Sequence, residues 1–341
     1  MELYFLDRAF GRLTAPVDTA ISVVWSLRYF ECGTFRAVFP LDPVLLAAAR
    51  AASYLSTGAD ENGYARCGRI EYIGYTGDNR MEVSGPMLEC LTGDRVMQSP
   101  YSVSGQVSDA VWTAVRDNLR GLSLALGADS AVIPETVTLS CEWEPLSDWL
   151  YRTLRPYGAS FTVTLDAERG QPVFRIVMPG TEPSVIFSGS FENIAEVSYE
   201  YSDSERKNAV YVEGYDGTVA EASVADGGDR REIYRKAGDI RPGQFVSHAA
   251  YTEALVHRGQ TILSGYQTEE YLSCTADSSA EPVFGRDYTL GDPCYVDDAE
   301  TGISLKTRVT EADEVWENGV KTVYPGFGGR MPGIRNRLKQ A

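Results

Sequence analysis

Two glutamates, Glu142 and Glu144, flank Trp143 in a stretch whose alternation predicts a strand. Side chains two positions apart on a strand lie on one face, so both carboxylates would point the same way. Glycoside hydrolases use two carboxylates at a set separation with aromatic rings nearby, and this triplet has those residue types. A solvated strand face has the same pattern, and 48 acidic residues make such neighbours common. Glycan hydrolysis is therefore an alternative function, not the favoured one.

Both histidines, His248 and His257, fall on a helix predicted for residues 244–263. Nine residues at about 100° each place the two side chains on opposite faces of that helix. They cannot share a metal ion or act there as a catalytic pair. The sequence has no G-x-S-x-G elbow to present a serine nucleophile, and a cysteine nucleophile meets the same shortage of histidine partners.

Six cysteines are spread along the chain without a C-x-x-C pair. Structural zinc sites need closely spaced thiolate pairs, so this pattern does not favour one. We predict reduced thiols in small core positions. The six are Cys32, Cys67, Cys90, Cys141, Cys274 and Cys294.

Three glycine-rich or acidic stretches resemble ligand-binding motifs without completing them. Residues 326–329 lack the downstream Gly-Lys-Ser/Thr of a P-loop. Residues 297–300 are acidic but lack the regular spacing of a calcium loop. Gly291 and Asp292 predict a turn that enters a strand, in which glycine takes an unusual backbone angle and aspartate accepts from nearby N–H groups. We predict no catalytic residue, no cofactor and no metal site.

The charge of the chain argues against sequence-specific DNA recognition. The 341 residues include 48 acidic and 31 basic side chains, a formal charge of −17. Such a chain repels DNA phosphates unless its basic residues cluster. The densest basic group is Arg330, Arg335, Arg337 and Lys339, in a segment 329–341 predicted to be a flexible basic tail.

Neither export nor membrane insertion is expected. The N-terminus lacks the charged start and apolar stretch of a secretory signal. Apolar runs such as residues 44–49 are far shorter than the roughly 20 residues that cross a bilayer.

Alternating segments, 32 glycines and 20 tyrosines predict a mainly β fold with an α+β insert. We predict two antiparallel barrel-like domains, residues 1–104 and 191–328, around a smaller mixed domain, residues 105–190. Asp42-Pro43 marks a helix start, since aspartate caps the helix and proline fits its first turn. Helices are also expected at 108–122, 145–155 and 244–263, and Gly85-Pro86 is expected to open a short helical segment through Leu88 and Leu91. Strands are predicted at 22–30, 34–39, 69–75, 80–84, 160–166, 172–178, 196–202, 209–215, 231–236, 270–275, 294–297, 303–311 and 321–324, and a mobile hairpin loop at 218–229. Gly77-Asp78-Asn79 predicts a hairpin turn between the strands at 69–75 and 80–84.

The order of short motifs resembles that of siphovirus tail hub proteins, the tail-tip family related to the baseplate hubs of contractile tails. The resemblance covers residues 22–328, and its specificity lies in the order and spacing of the motifs. They are Trp25-Ser-Leu-Arg28-Tyr29, Gly33-x-Phe35, Phe39-Pro40, Arg69-Ile-Glu-Tyr-Ile, Met81-Glu-Val-Ser-Gly85, Leu88-x-x-x-x-Gly93-Asp-Arg95, Asn208-Ala-Val-Tyr-Val-Glu-Gly214, Arg258-Gly259, Tyr288-Thr-Leu-Gly-Asp292 and Tyr324-Pro-Gly-Phe-Gly328.

This resemblance implies a structural protein, not an enzyme. It implies a homotrimeric ring in which two barrel-like domains per subunit form a pseudo-sixfold torus around the DNA exit channel. The ring would join the tail tube and distal tail protein to the tip, beside the tape measure protein and the spike or receptor-binding proteins. The protein would belong to the virion after assembly in the host cytoplasm. Trp25, Gly291 and Asp292 would then be structural positions.

Two further expectations follow from the residues. A channel lined with acidic side chains would let DNA pass without binding, so we expect part of the −17 charge to line the lumen. The competing function is a soluble carbohydrate-binding β protein, with Trp143, Trp149 and Trp316 as sugar platforms, although core packing explains each tryptophan as well.

Overall fold

The computed structural model describes residues 1–141, 143–276, 281–298 and 300–328. The fold is mainly β with several sheets and a few helices, as predicted. Glu142, Gly329 and the predicted tail 329–341 lie outside the described residues. The helices are α1 (Pro43–Ala51), α2 (Cys90–Gly93), α3 (Val107–Asn118), α4 (Leu146–Leu154) and α5 (His248–Leu263).

The strands follow in chain order. The first eleven are β1 (Leu3–Leu6), β2 (Ser22–Arg28), β3 (Thr34–Pro40), β4 (Tyr54–Thr57), β5 (Tyr64–Ala65), β6 (Cys67–Arg69), β7 (Tyr72–Thr76), β8 (Arg80–Pro86), β9 (Tyr101–Gln106), β10 (Ala125–Leu126) and β11 (Thr136–Cys141). The others are β12 (Ser160–Asp166), β13 (Gln171–Val177), β14 (Val185–Ser188), β15 (Ile194–Ser202), β16 (Ala209–Gly214), β17 (Val219–Ser223), β18 (Glu232–Ala237), β19 (Glu269–Ala276), β20 (Pro293–Asp298), β21 (Ile303–Glu317) and β22 (Val320–Gly328).

Local sequence signals place the elements near the N-terminus. Asp42 caps α1, because its side chain accepts from the backbone N–H groups of Val44 and Leu45 at 2.9 and 2.8 Å. Asn79 takes the left-handed conformation in the turn between β7 and β8, which confirms the predicted hairpin.

The largest sheet joins strands from both ends of the chain. Its main path has the order β15-β19-β22-β21-β2-β3-β8-β7, and β20 pairs with β21 beside this path. Each strand of the path is antiparallel to its neighbours. We call this eight-stranded path the long sheet.

Within the described ranges, four hydrophobic cores stabilise the fold. The first packs α3 and α4 against β12 and β13, and the second packs the long sheet against β1, β4 and α1. The third lies between the C-terminal half of the long sheet and strands β14 and β20. The fourth packs α5 on the small sheet β17-β16-β18. The apolar stripes expected on the helices are confirmed, since Val111, Val115, Trp149 and Leu150 are fully buried.

Three predicted boundaries were wrong. The helix expected at 244–263 begins at His248, because the Ser247 side chain caps it by accepting from the Ala250 N–H at 3.2 Å. The loop expected at 218–229 contains strand β17, which pairs with β16. Gly85 and Pro86 end strand β8 and do not open a helix. In each case long-range pairing or a neighbouring cap decides where the element ends.

No helix within the described ranges is both long enough and apolar enough to span a membrane.

Candidate functional site: the open face and edges of the long sheet

One face of the long sheet packs on the second and third cores, and the opposite face is polar. We call this polar face the open face. Apart from Val38 and Glu311, its side chains are half-buried or exposed. From the strand registers it includes Tyr72, Gly74, Arg80, Glu82, Ser84, Thr34, Arg36, Val38, Ser22, Val24, Ser26, Arg28, Glu311, Asp313, Val315, Glu317, Thr322, Tyr324, Glu269, Tyr271, Ser273, Ser198, Glu200 and Ser202.

The open face has an acidic balance. Its six carboxylates and three guanidinium groups give a formal charge of −3. Arg28 lies between Asp313 and Glu311, with nitrogen–oxygen distances of 2.7 and 3.6 Å. Arg36 pairs with Glu82 at 2.7 Å, and this hydrogen bond raises the pKa of the Arg36 guanidinium. The positive charges are therefore held by acidic neighbours, and an excess of negative charge faces solvent.

A shallow groove of about 460 Å³ crosses the open face near β7. Arg36, Tyr72, Arg80, Glu82 and Glu317 are among its lining residues. The groove is wide and mixed in charge, and its carboxylate and guanidinium groups neutralise one another. This lining is typical of a solvated protein surface.

Strands β2 and β21 join the two halves of the long sheet. Their register places Ser22 opposite Glu317 and Arg28 opposite Glu311. Behind the sheet Glu314 is fully buried, and its carboxylate pairs with Arg66 and, at 2.5 Å, with Lys321. Because a buried charge is costly unless paired, this cluster ties β21 to β22 and to the segment between β5 and β6.

The long sheet ends at two unpaired edges among the described residues, β7 and β15. Both expose tyrosines: Tyr72 and Tyr75 on β7, and Tyr199 and Tyr201 on β15. An unpaired edge presents free N–H and C=O groups to another strand. These edges and the open face form the candidate functional site.

Of the two glutamates considered for glycan hydrolysis, the structure describes Glu144. Strand β11 ends at Cys141, so Glu144 lies outside it, and Glu142 is not among the described residues. The Glu144 carboxylate pairs with Arg152 and accepts from the Cys141 thiol at 3.3 Å. Glu144 therefore joins β11 to α4.

The tryptophans proposed as sugar platforms differ in exposure. Trp149 is fully buried and donates its Nε1–H to the Ser140 carbonyl at 3.2 Å, so it belongs to the core. Trp316 is half-buried against the second core. Trp143 is 64% exposed, and its own backbone has a positive φ of 33°. They do not form a shared platform, and Trp25 is fully buried, as expected for a structural position.

Both histidines lie on α5, as predicted. His257 is half-buried, and burial followed by the charge of Arg258 lowers the pKa of its imidazole. Within the described ranges no group of three or more histidine, cysteine or acidic side chains is placed to hold a metal ion. The Asp298 carboxylate of the acidic stretch accepts from the Thr301 hydroxyl at 2.6 Å and so stabilises its own turn.

The six cysteines are free thiols. Cys67, Cys141, Cys274 and Cys294 are buried, and Cys32 and Cys90 are half-buried. Burial raises the pKa of the Cys90 and Cys274 thiols to about 12. Such thiols are poor nucleophiles at neutral pH, since the thiolate is the reactive form.

The turn expected at Gly291 and Asp292 is confirmed. Gly291 has a φ of 91°, and a Cβ atom there would lie 2.4 Å from the Tyr29 ring. The Asp292 carboxylate accepts from the N–H and the hydroxyl of Thr289 at 2.7 and 3.2 Å. Both residues shape the entry to β20.

The sequence interpretation missed the open face and the buried Glu314. Polar residues at alternate positions of β2, β3, β8 and β21 are the signal for such a face. Glu314 gave no such signal, because acidic residues occupy both faces of β21 and are typical of a solvated strand.

The comparisons with known proteins address the whole chain. A family model described as Siphovirus ReqiPepy6 Gp37-like protein matches residues 2–329, and this match confirms the resemblance to siphovirus tail proteins. No protein with a curated description matches the chain.

Three solved structures share the fold across nearly their full length. The tail protein from Neisseria meningitidis MC58 is 12% identical, with a TM-score of 0.59 over 96% of each chain. The prophage MuSo2 43 kDa tail protein from Shewanella oneidensis is 12% identical, with a TM-score of 0.57 over 96% of this chain and 98% of that one. Prophage tail protein gp18 from Listeria monocytogenes EGD-e is 13% identical, with a TM-score of 0.57 over 100% of this chain and 98% of that one. At this identity the likeness shows a shared fold.

Proposed function

Because this chain belongs to the siphovirus ReqiPepy6 Gp37-like protein family, we propose that it is a structural component of a phage tail. Its specific role in this proposal is the hub, a homotrimeric ring between the tail tube and the tip. The family and the fold shared with prophage tail proteins support a tail component. The observation that supports a ring is the long sheet, with its open face and two unpaired edges.

The direction of the edge strands suits closure of a ring. The long sheet has an even number of antiparallel strands, so β7 and β15 run in opposite directions. A rotation about an axis roughly along the strands keeps each strand direction unchanged. It would therefore bring β15 of one copy antiparallel to β7 of the next, and each junction would add main-chain hydrogen bonds.

Three copies would close a barrel of useful size. Twenty-four strands about 4.8 Å apart give a circumference of about 115 Å, or about 37 Å across before strand tilt widens it. This leaves room for duplex DNA after the side chains are allowed for. The second and third cores would then lie outside the barrel, and the open face would line the channel.

The charge of the open face is compatible with DNA passage. Its formal charge of −3 per chain would give about −9 around a threefold channel. Phosphates would meet carboxylates of like charge and would not bind, as expected for a conduit.

We propose a structural and not an enzymatic role. Glu144 is engaged by Arg152, and Trp149 is buried, so neither supports glycan chemistry. The proposed partners are two further copies of the chain, the distal tail protein, the tape measure protein and the spike or receptor-binding proteins. DNA would pass without specific binding, and the protein would belong to the virion after assembly in the host cytoplasm. The three-part division into residues 1–104, 105–190 and 191–328 remains part of this proposal.

Electron microscopy of the purified protein together with native mass spectrometry tests the hub role. Threefold particles with a central opening and a mass near three chains are the expected result. If the chain is monomeric, the experiment is repeated with a tail-tube or distal tail protein. Failure to form rings under both conditions would overturn the hub role, and a glycan-array screen would then test the carbohydrate-binding alternative.

A further inference from the structure

We propose that Tyr199 and Tyr201 on β15 of one copy insert into a partly apolar groove beside β7 of the next copy. This inference rests on the proposed ring and names the contact that would close it. The occupant of the groove is thus a second copy of the same chain.

The groove lies where the second core reaches the β7 edge. It has a volume of about 480 Å³ and lies between α1 and β7. Leu46, Ile70 and Ile73 line it together with Tyr75, which is 65% exposed. These apolar side chains pack against the second core on one side, and at the sheet edge no further strand covers them in the described structure. The groove is the place where the core layer of a neighbouring sheet would continue.

The opposite edge of the long sheet offers side chains that fit this groove. On β15, Tyr199 lies opposite Leu272, which is buried in the third core, so Tyr199 points to the core side of the sheet. Tyr201 lies two positions further on the same side and is 56% exposed. Val197 precedes them on that side and packs against the third core. When β15 pairs with β7, these side chains continue the core layer of one copy into that of the next.

Side-chain alternation restricts how the two edges pair. On β7, Ile73 and Tyr75 lie on the core side, while Tyr72 and Gly74 lie on the open face. On β15, the tyrosines lie on the core side, while Ser198 and the adjacent polar positions lie on the open face. A slip of one residue would move both tyrosines into the acidic channel and leave the groove empty. The alternation therefore favours a register in which aromatic and aliphatic side chains meet.

Charge also favours this pairing. The Tyr199 hydroxyl donates to the Glu270 carboxylate at 3.2 Å, so this carboxylate lies next to the tyrosine hydroxyl. Arg50 and Glu71 both line the groove. Glu71 is paired with Arg69 at 2.6 Å, whereas Arg50 is exposed and makes no ion pair within the part of the chain that the structure describes. Docking of Tyr199 would bring Glu270 of one copy towards Arg50 of the next. An ion pair at the rim would help to orient the contact, as rim charges generally do.

Paired substitutions and site-specific photo-cross-linking test this contact in the full chain. The double variant Tyr199→Ala with Tyr201→Arg removes both aromatic rings and places a charge in the groove. Because buried aromatic residues dominate interface energies, we expect it to weaken trimer formation by roughly tenfold or more in native mass spectrometry. Tyr234→Arg is the matched control, since Tyr234 is an exposed tyrosine on edge strand β18 of another sheet. Circular dichroism should show both variants folded.

Photo-cross-linking reports the contact even if a tyrosine variant fails to fold. A photoreactive phenylalanine analogue at position 75 should form intermolecular products that map to residues 194–202 of the neighbouring copy. Rings that form with cross-links elsewhere, or that survive the double variant, would overturn this contact and leave the hub role intact. Absence of any ring from the wild-type chain, alone or with tail proteins, would overturn the hub role and this contact together.

Discussion

Trp25 and Glu314 lie directly opposite each other in the strand pair that joins the two halves of the long sheet. Both side chains are fully buried, an aromatic ring beside a carboxylate. The carboxylate pairs with Arg66 and Lys321, which approach from different parts of the chain. The pairing of the N-terminal strand β2 with the C-terminal strand β21 thus includes a buried negative charge, on Glu314, that two cations neutralise.

Glu314→Ala should therefore destabilise the protein strongly. Removal of the carboxylate leaves two half-buried cations close together without their counterion, and we expect a loss of about 3 kcal/mol in the free energy of unfolding. Glu317→Ala is the control, since it removes an exposed carboxylate from the same strand and should change stability by less than about 0.5 kcal/mol. Urea denaturation of both variants measures this, and equal losses would contradict the assigned role of Glu314.

Gly291→Ala should be more damaging than Gly302→Ala. Both glycines have a positive φ, of 91° and 72°, so each substitution adds backbone strain of about 1 kcal/mol. At Gly291 the new methyl group would also lie 2.4 Å from the Tyr29 ring and 2.7 Å from Pro179, whereas nothing lies within 4 Å at Gly302. We expect Gly291→Ala to cost at least about 2 kcal/mol more in thermal or urea unfolding. If the two variants have similar melting curves, the Tyr29 side chain moves aside to make room for the methyl group at position 291.

Asp42→Ala should weaken α1 by removing its cap. The Asp42 carboxylate accepts from two backbone N–H groups of the first turn, and loss of such a cap costs about 1 kcal/mol. Asp42→Asn keeps an acceptor in the same position and should retain most of the stability. If the proposed contact between copies is correct, Asp42→Ala should also weaken the trimer, because α1 forms one wall of the groove. Urea unfolding and native mass spectrometry separate the two effects.

Glu89→Gln should change how stability depends on pH. Burial raises the pKa of the Glu89 carboxyl above 4.5 in the folded state, although its Oε1 accepts from Thr162 and Val163. The folded protein then holds the proton more tightly than the unfolded chain. The stabilisation is complete below the unfolded pKa and is lost as pH rises through the folded pKa.

Urea unfolding between pH 4 and 8 tests this expectation. Relative to the wild type, Glu89→Gln should gain stability as pH rises from 4 to 8, since the amide has no proton to lose. In the wild type the buried Oε2 atom of Glu89 has no hydrogen-bond partner. In the variant a neutral amide group takes the place of the Glu89 carboxyl group. Glu31→Gln is the control for loss of an exposed carboxylate, and a parallel pH curve for both variants would contradict the role of burial.

Charge reversal on the open face should create DNA binding in the assembled ring. Glu200→Lys with Glu317→Lys changes the formal charge of this face from −3 to +1 per chain. We expect salt-dependent retention of duplex DNA by fluorescence anisotropy, since phosphate contacts with lysine weaken as salt rises. The same reversal at Glu61 and Glu205, which are exposed outside the open face, should have less effect. Equal binding by both double variants would place the channel elsewhere.

Much of the fold could be predicted from the sequence where the signals are local. Asp42-Pro43 starts a helix because cap and first turn are adjacent in the chain, and Gly291-Asp292 forms its turn by contacts with near neighbours. The spacing of Val111 and Val115 gives one face of a helix that must be buried. These outcomes depend on periods of two or 3.6 residues and on contacts within a few positions.

The candidate site could be predicted only in part. The polar alternation of β2, β3 and β21 is present in the sequence, but it does not say which strands are neighbours. Arg28 and Asp313 are paired on the open face although they are 285 positions apart. Glu144 shows the same limit, because its neighbours in the sequence do not indicate that its carboxylate pairs with Arg152, eight positions further along the chain.

The sequence by itself determined the mainly β character, the helices with their apolar faces, the acidic charge and the likeness to siphovirus tail proteins. The tertiary structure decided that β2 pairs with β21, that Glu314 is buried between two cations, and that β7 and β15 are left as edges. The physical reason is that strand pairing and burial depend on free energies gained between distant segments. Local patterns specify which groups need partners, and only the folded chain specifies which partners they find.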